Sequence, residues 1–231
     1  MNNAKNVFLS GITQTRQMSA LYDHFINDLH IPHDQVSDIL RFQLVYAVSG
    51  FDRLIHELIR KGVIEILLNQ RVKTNKFLTH PFKAETLLKA LEYSDPSYIP
   101  TSPQETTEFV VNKEMAEKLS FLSFQAPDKV KDGLSFIWTE TQKMAVLADD
   151  IGIAGATTND RQKNLEQKLA LIVDRRNQIA HEGDIDPSTN LKRDITKAQA
   201  EDAINFVSQL GVSIHKFVTQ PTCYVSPTAT P

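Results

Sequence analysis

A chain of 231 residues with 41% apolar side chains is long enough to bury one sizeable core. Its formal net charge of −3 supplies no global basic field, so a nucleic-acid partner has to be met by a local basic patch. The lone cysteine, Cys223, excludes disulfides and thiolate metal clusters. No run approaches about 20 apolar residues, and the opening MNNAKNVFLSG lacks a signal-peptide pattern, so the expectation is a soluble, cytoplasmic protein with no membrane contact.

Only eight glycines, with abundant Leu, Ile, Ala, Lys, Glu and Gln, favour helix over sheet. Residues 13–30 place Met18, Leu21, Tyr22, Phe25, Ile26 and Leu29 at helical spacing, which predicts an amphipathic helix ending near Pro32. Asp34 is the expected N-cap of a long helix running to about Gln70, striped by Leu40, Leu44, Ala47, Val48, Phe51, Ile55, Leu58, Ile59 and Ile66. At about 1.5 Å per residue it spans roughly 50 Å, enough to be the backbone of a bundle. Beyond it, Arg71, Lys73 and Lys76 lead through Pro81 to a short helix over about 83–93.

The stretch 94–109 is rich in Pro, Ser and Thr and has no helical period, so it reads as an irregular excursion within one domain. Two helices are predicted next, over about 112–124 and 128–148. After the linker 149–160, Asp160 is a plausible N-cap for the helix that organises the chain, and Gly183 suits its C-terminal end. Thr196 caps a last helix to about Val218. The prediction is an all-α helical bundle over 1–220, with an irregular insertion at about 71–127 and a flexible tail over 221–231.

The functional lead lies in the organising helix, LEQKLALIVDRRNQIAHEG (165–183). Leu165, Leu169, Ile172, Val173, Ile179 and Ala180 form its apolar stripe, and Arg176 projects from within it. An arginine there needs an anion or a set of acceptors. His181 closes the helix five residues later, about 140° around the axis. Two readings of R-N-x-x-x-H stand side by side. Arg176 is a buried structural ion pair and His181 a solvated cap favoured by the helix dipole, or the two are a site.

A second constellation lies in the long helix, where Asp52 and His56 are neighbours at i, i+4 near the edge of the apolar stripe. The carboxylate is placed to hold Arg176, to set a histidine tautomer, or simply to form a satisfied polar pair. The seven histidines give no metal-ligand spacing beyond that pair, so no metal or cofactor is expected. GIAGATTND lacks the lysine of a phosphate loop. Basic residues available to RNA are Arg53, Arg60, Lys61, Arg71, Lys73, Lys76 and Arg175, most of which also suit a solvated face.

The segment DRRNQIAHEGD (174–184) resembles the signature of the HEPN superfamily of all-α domains, whose active motif is Arg-x(4–6)-His with a polar residue after the arginine. Arg176, Asn177 and His181 match those positions. AVSGFDRLIHELI (47–59) resembles the acidic helix of the RiboL-PSP-type branch, with Asp52 and His56 matching. Glu182 and Asp184 depart from relatives that carry basic or neutral residues there.

The resemblance implies a helical bundle that dimerises so that two motifs meet in a cleft, and a metal-independent endoribonuclease used in toxin-like or antiviral defence. It makes Arg176, Asn177, His181 and Asp52 the catalytic set, with Arg175, His56 and Arg53 as substrate contacts. Its partners are an RNA substrate, a second copy of the chain, and an antitoxin or defence-system protein. A catalytically inactive HEPN bundle that binds RNA, nucleotide or a partner protein is the alternative, and a plain helical scaffold is the third reading.

Overall fold

The computed structural model describes residues 1–119 and 121–225, and among them it is all-α. The elements used below are α1 (Asn2–Asp23), α2 (His33–Val36), α3 (Asp38–Leu67), α4 (Asn75–Thr79), α5 (Ala84–Tyr93), α6 (Thr107–Leu119), α7 (Pro127–Leu134), α8 (Lys143–Asp150), α9 (Thr158–Glu182) and α10 (Lys197–Val218). One π-helical turn, His24–Asp28, follows α1, and a 3-10 turn, Pro221–Cys223, follows α10.

Helix α3 is the axis of the bundle, because its apolar residues recur around most of its circumference. Leu40, Leu44, Val48, Phe51, Leu54, Ile55, Leu58, Ile59, Val63 and Ile66 are all buried. A helix apolar on several faces has to be covered from several sides, and α1, α6, α7, α9 and α10 do so. Two close approaches fix the packing. A Cβ at Gly211 of α10 would lie 2.5 Å from Phe8 Cε1 of α1 and 3.1 Å from Leu54 Cδ2 of α3, so three helices meet where only a glycine fits. Gln43 of α3, fully buried, donates to Thr15 O at 2.7 Å and Ser19 Oγ at 2.9 Å of α1.

Several boundaries differ from the sequence expectation, each for an identifiable reason. The first helix starts at Asn2 rather than near 13, and its buried face is Ala4, Phe8, Ile12, Thr15, Ser19 and Tyr22. Leu21 and Leu29, assigned to the core stripe, are 44% and 52% exposed. The polar Thr15 is tolerated inside because its hydroxyl donates to Gly11 O at 2.8 Å. The expected 34–70 helix is divided at Ser37 into α2 and α3. The expected 112–124 helix runs over Thr107–Leu119.

The expected 128–148 helix is two helices, α7 and α8. Between them Phe136, Ile137 and Trp138 turn inward, and the carbonyls freed by the break are taken up from elsewhere. Thr74 Oγ1 donates to Phe136 O at 3.0 Å, and Arg71 Nη1 donates to Ile137 O at 3.0 Å. Arg71, counted among the residues available to RNA, is therefore a fully buried hub. It also donates to Glu65 Oε2 at 2.9 Å, Val218 O at 2.9 Å and Tyr224 Oη at 3.1 Å.

The insertion is more regular than expected. Helices α5 and α6 pack on each other, and Val111, Met115 and Leu119 of α6 join the main core against α3. The stretch 94–106 has only turns and bends. The expected flexible tail corrects to a docked strap at its start. Val72 N donates to Cys223 O at 3.0 Å, Val225 N donates to Gln70 O at 3.1 Å, and Cys223 is buried. The rest of that tail, 226–231, lies outside the described residues.

Candidate functional site

Helix α9 begins at a capping box: Thr157 accepts from the Asp160 backbone N–H and Asp160 accepts from that of Thr157. Asp160 is thus the third residue of the helix and Thr157 its cap. Leu165, Leu169, Ile172 and Val173 are its buried residues, at the i, i+4, i+7, i+8 spacing of a core face. The helix ends, as expected, at Gly183, whose φ of 62° is left-handed.

The last two turns of α9 begin with adjacent arginines that do opposite things. Arg175 turns inward. Its Nη1 lies 2.6 Å from Asp184 Oδ1, and its Nη2 donates to Asp184 Oδ2 and to Asp194 O, each at 2.9 Å. Burial holds the Arg175 pKa below the ordinary arginine value, an effect the Asp184 carboxylate offsets only in part. Asp184 is fully buried and meets a second guanidinium: Arg41 Nε of α3 donates to its Oδ2 at 2.6 Å. Arg41 also donates to Ser37 Oγ at 2.7 Å and to Arg193 O at 2.5 Å. Two arginines and one carboxylate therefore lock the C-terminal end of α9 to the N-terminal end of α3.

Arg176 is the arginine left over. It is half-buried, its Nη1 donates to Asn177 Oδ1 at 3.1 Å, and its buried Nε has no hydrogen-bond partner. Among the described residues no carboxylate is ion-paired with it. His181, one and a half turns on, is exposed, and its ring makes no hydrogen bond among the described residues. The last two turns of α9 thus offer an unneutralised guanidinium, an amide that orients it, and an accessible imidazole about 140° away. A guanidinium fork matches phosphate oxygens, and imidazole is the side chain suited to proton transfer near neutral pH.

Asp52 and His56 sit elsewhere. Asp52 lies eleven residues beyond Arg41 in α3, about 16 Å further along that helix. Its Oδ1 accepts from Phe124 N at 2.6 Å. His56 Nε2 is 3.8 Å from that same oxygen and 3.2 Å from Leu122 O, with its ring centroid 4.7 Å from that of Phe124. The pair anchors the loop that follows α6 and makes no bond to Arg176. Arg53 is exposed and lines a cavity of about 330 Å³ between α1 and α3, with Phe8, Tyr46, Gly50 and Lys61.

The structure therefore carries Arg176, Asn177 and His181 on one helix end, gives Asp52 and His56 partners of their own at the loop after α6, sets Arg53 at the cavity between α1 and α3, and makes Arg175 an internal tie. Sequence reasoning missed Arg41 and the role of Asp184. Arg41 carried the same signal as Arg176, a cation three and seven residues before the apolar Leu44 and Val48. Asp184 was singled out only as a charge out of place.

Among the described residues no group of three or more His, Cys, Asp or Glu side chains is placed to hold a metal ion. No helix among them is long and apolar enough to cross a membrane. No curated protein and no solved structure matches the chain significantly. The model of the RiboL-PSP-HEPN family matches residues 13–220, nearly the whole chain and including α3, α9 and the motif between Arg176 and His181. The chain belongs to the RiboL-PSP-HEPN family.

Proposed function

We propose that this chain is a metal-independent endoribonuclease whose active site is built from Arg176, Asn177 and His181 of two copies meeting at a homodimer interface. The observation that carries the reading is the Arg176 guanidinium, held by Asn177 without a carboxylate counter-ion beside an accessible histidine. Membership of a family of ribonuclease-like or nucleotide-binding character supports it.

In this mechanism His181 takes the proton from a ribose 2′-hydroxyl, whose oxygen attacks the adjacent phosphorus. The P–O5′ bond breaks, and the departing oxygen takes up a proton from a histidine. One product end is a 2′,3′-cyclic phosphate and the other a 5′-hydroxyl. Arg176 stabilises the charge that grows on the equatorial oxygens, and Asn177 keeps its fork aimed. The divergence of Arg176 and His181 on one helix favours a site shared by two helix ends, with the histidine of one copy facing the arginine of the other. Arg53 serves as a more distant contact to the RNA backbone. Asp52 and His56 support the fold of the loop they anchor. A toxin-like or antiviral-defence setting, with a neutralising or defence-system partner protein, suits such an activity.

The test is purified protein with tRNA and total RNA in excess chelator, beside a His181→Ala control. Cutting by the wild type that is lost in the control supports the reading. Absence of cutting, or equal cutting in both, overturns it and leaves a HEPN bundle that only binds.

A further inference from the structure

The lock at the end of α9 sits three residues after His181. Gly183 and Asp184 are both left-handed, each at φ 62°. Glycine adopts that conformation freely, whereas two in succession with an aspartate second need something to hold them. What holds them is on every side of Asp184. Its N–H donates to Gln178 O at 3.0 Å, closing the last turn of α9, and its carbonyl accepts from Arg193 N at 2.8 Å, closing the hairpin whose arms meet at Ile185 and Lys192. Its carboxylate is buried between Arg41 and Arg175. Ile195, just past the hairpin, is buried in a small core with Tyr22, Val36, Leu40 and Ala200.

His181 has no side-chain bond of its own among the described residues, so its place is set by the backbone to which it is attached. Helix ends fray unless their last carbonyls and the following turn are satisfied. The same carboxylate occupies Arg175, the cation nearest to Arg176 in the chain. We propose that Asp184, clamped by Arg41 and Arg175, is a positioning residue for the Arg176–His181 site: it holds the turn that places His181, and it keeps Arg175 away from the phosphate that Arg176 receives. This rests on the proposed ribonuclease site and adds to it a device outside the motif.

The experiment uses the full chain, labelled with isotope in its histidine rings, as wild type and as Asp184→Asn. The His181 ring signal is assigned by its disappearance in His181→Gln, and spectra are taken well below the melting midpoint of each variant. Inorganic phosphate is the probe. In the wild type the His181 signal is sharp and shifts on phosphate addition, and Arg176→Met abolishes that response. In Asp184→Asn the His181 signal broadens or moves before phosphate is added, and its response to phosphate is altered, with the apparent affinity changed by about tenfold, while the other resolved histidines keep their positions. Cleavage, measured alongside, falls by about 10- to 100-fold in kcat in the folded variant.

An unchanged His181 signal with an unchanged phosphate response in folded Asp184→Asn overturns the proposal. So does a wild-type His181 signal that ignores phosphate. Should Asp184→Asn not fold, Arg41→Lys takes its place, since it keeps the positive charge and loses the two-point contact with Asp184 and Arg193, and the same shifts are expected. A wild type that shows the ring response but cuts no RNA refutes the ribonuclease reading and leaves the positioning role standing.

Discussion

Arg175 and Arg176 are neighbours of the same chemical type, and the structure assigns them opposite consequences on removal. In Arg175→Met, two charge-assisted hydrogen bonds are lost from a side chain only 21% exposed, and the fully buried Asp184 keeps Arg41 as its remaining partner. A hydrogen bond to a charged group is worth about 1.5–3 kcal/mol, so two come to about 3–6 kcal/mol, and the surviving Arg41 contact holds the loss at the lower end, about 3 kcal/mol. With a urea slope of about 3 kcal/mol/M, the unfolding midpoint falls by about 1 M. In Arg176→Met, one hydrogen bond to Asn177 is lost, and a buried Nε without a partner is removed at the same time. The two changes oppose each other, so stability stays within about 1 kcal/mol of wild type.

Activity runs the other way. Loss of the group that stabilises the phosphorane lowers kcat by about 10²- to 10³-fold in Arg176→Met, whereas Arg175→Met still cuts RNA once its lower stability is allowed for by assaying well below its midpoint. The assay is urea unfolding followed by circular dichroism, with single-turnover RNA cleavage on the same preparations. A larger stability loss in Arg176→Met than in Arg175→Met would refute the assignment of which arginine is structural.

Two further outcomes follow from the buried polar groups. Arg71→Met strands Glu65 and the carbonyls of Ile137 and Val218, and a stability loss of about 3–5 kcal/mol is expected from urea unfolding; a loss below about 1 kcal/mol would mean those groups find other partners. His215, 5% exposed, has its pKa lowered by burial, so the unfolded chain takes up its proton first as pH falls. Its contribution is intact above the ordinary histidine range and is lost as pH drops from about 7 toward about 5, and the fall in Tm over that interval is smaller in His215→Gln. An identical fall in the variant would place the acid sensitivity elsewhere, with His80, also lowered by burial between Phe82 and Phe136, the next group to replace.

The parts of this fold that sequence made legible are those written in local signals. Helix α9 announces itself by its apolar spacing and the glycine at its end, and α10 by Thr196 and the stripe that follows. The long central helix is equally plain, because its apolar residues recur too often to belong to anything else. What escaped was set by contacts between distant segments. The gap between α7 and α8 depends on Arg71 and Thr74 accepting the burden of two freed carbonyls, more than 60 residues away in sequence. The first turns of α1 hide behind Asn2, Asn3, Lys5 and Asn6, though Ala4, Phe8 and Ile12 already carry the helical spacing.

At the site, the residue types of the motif were legible and their partners were not. Helical periodicity places Arg175 and Arg176 about 100° apart, which does not say which of them will meet an anion. That is decided by Asp184, beyond a left-handed turn, and by Arg41 at the far end of the sequence. The charge that looked foreign to a phosphate site proves to be neutralised inside the protein. The carboxylate expected to hold Arg176, that of Asp52, instead holds the backbone of Phe124.

The most direct measurement is cleavage of one RNA and its counterpart carrying a single 2′-deoxy substitution at the cut, in excess chelator, with the chemistry of the new ends determined. A cut is expected in the all-ribose strand alone, leaving a 2′,3′-cyclic phosphate and a 5′-hydroxyl, and abolished in Arg176→Met and His181→Ala. Cleavage of the 2′-deoxy position, or persistence of the cut in either variant, would contradict the proposed mechanism.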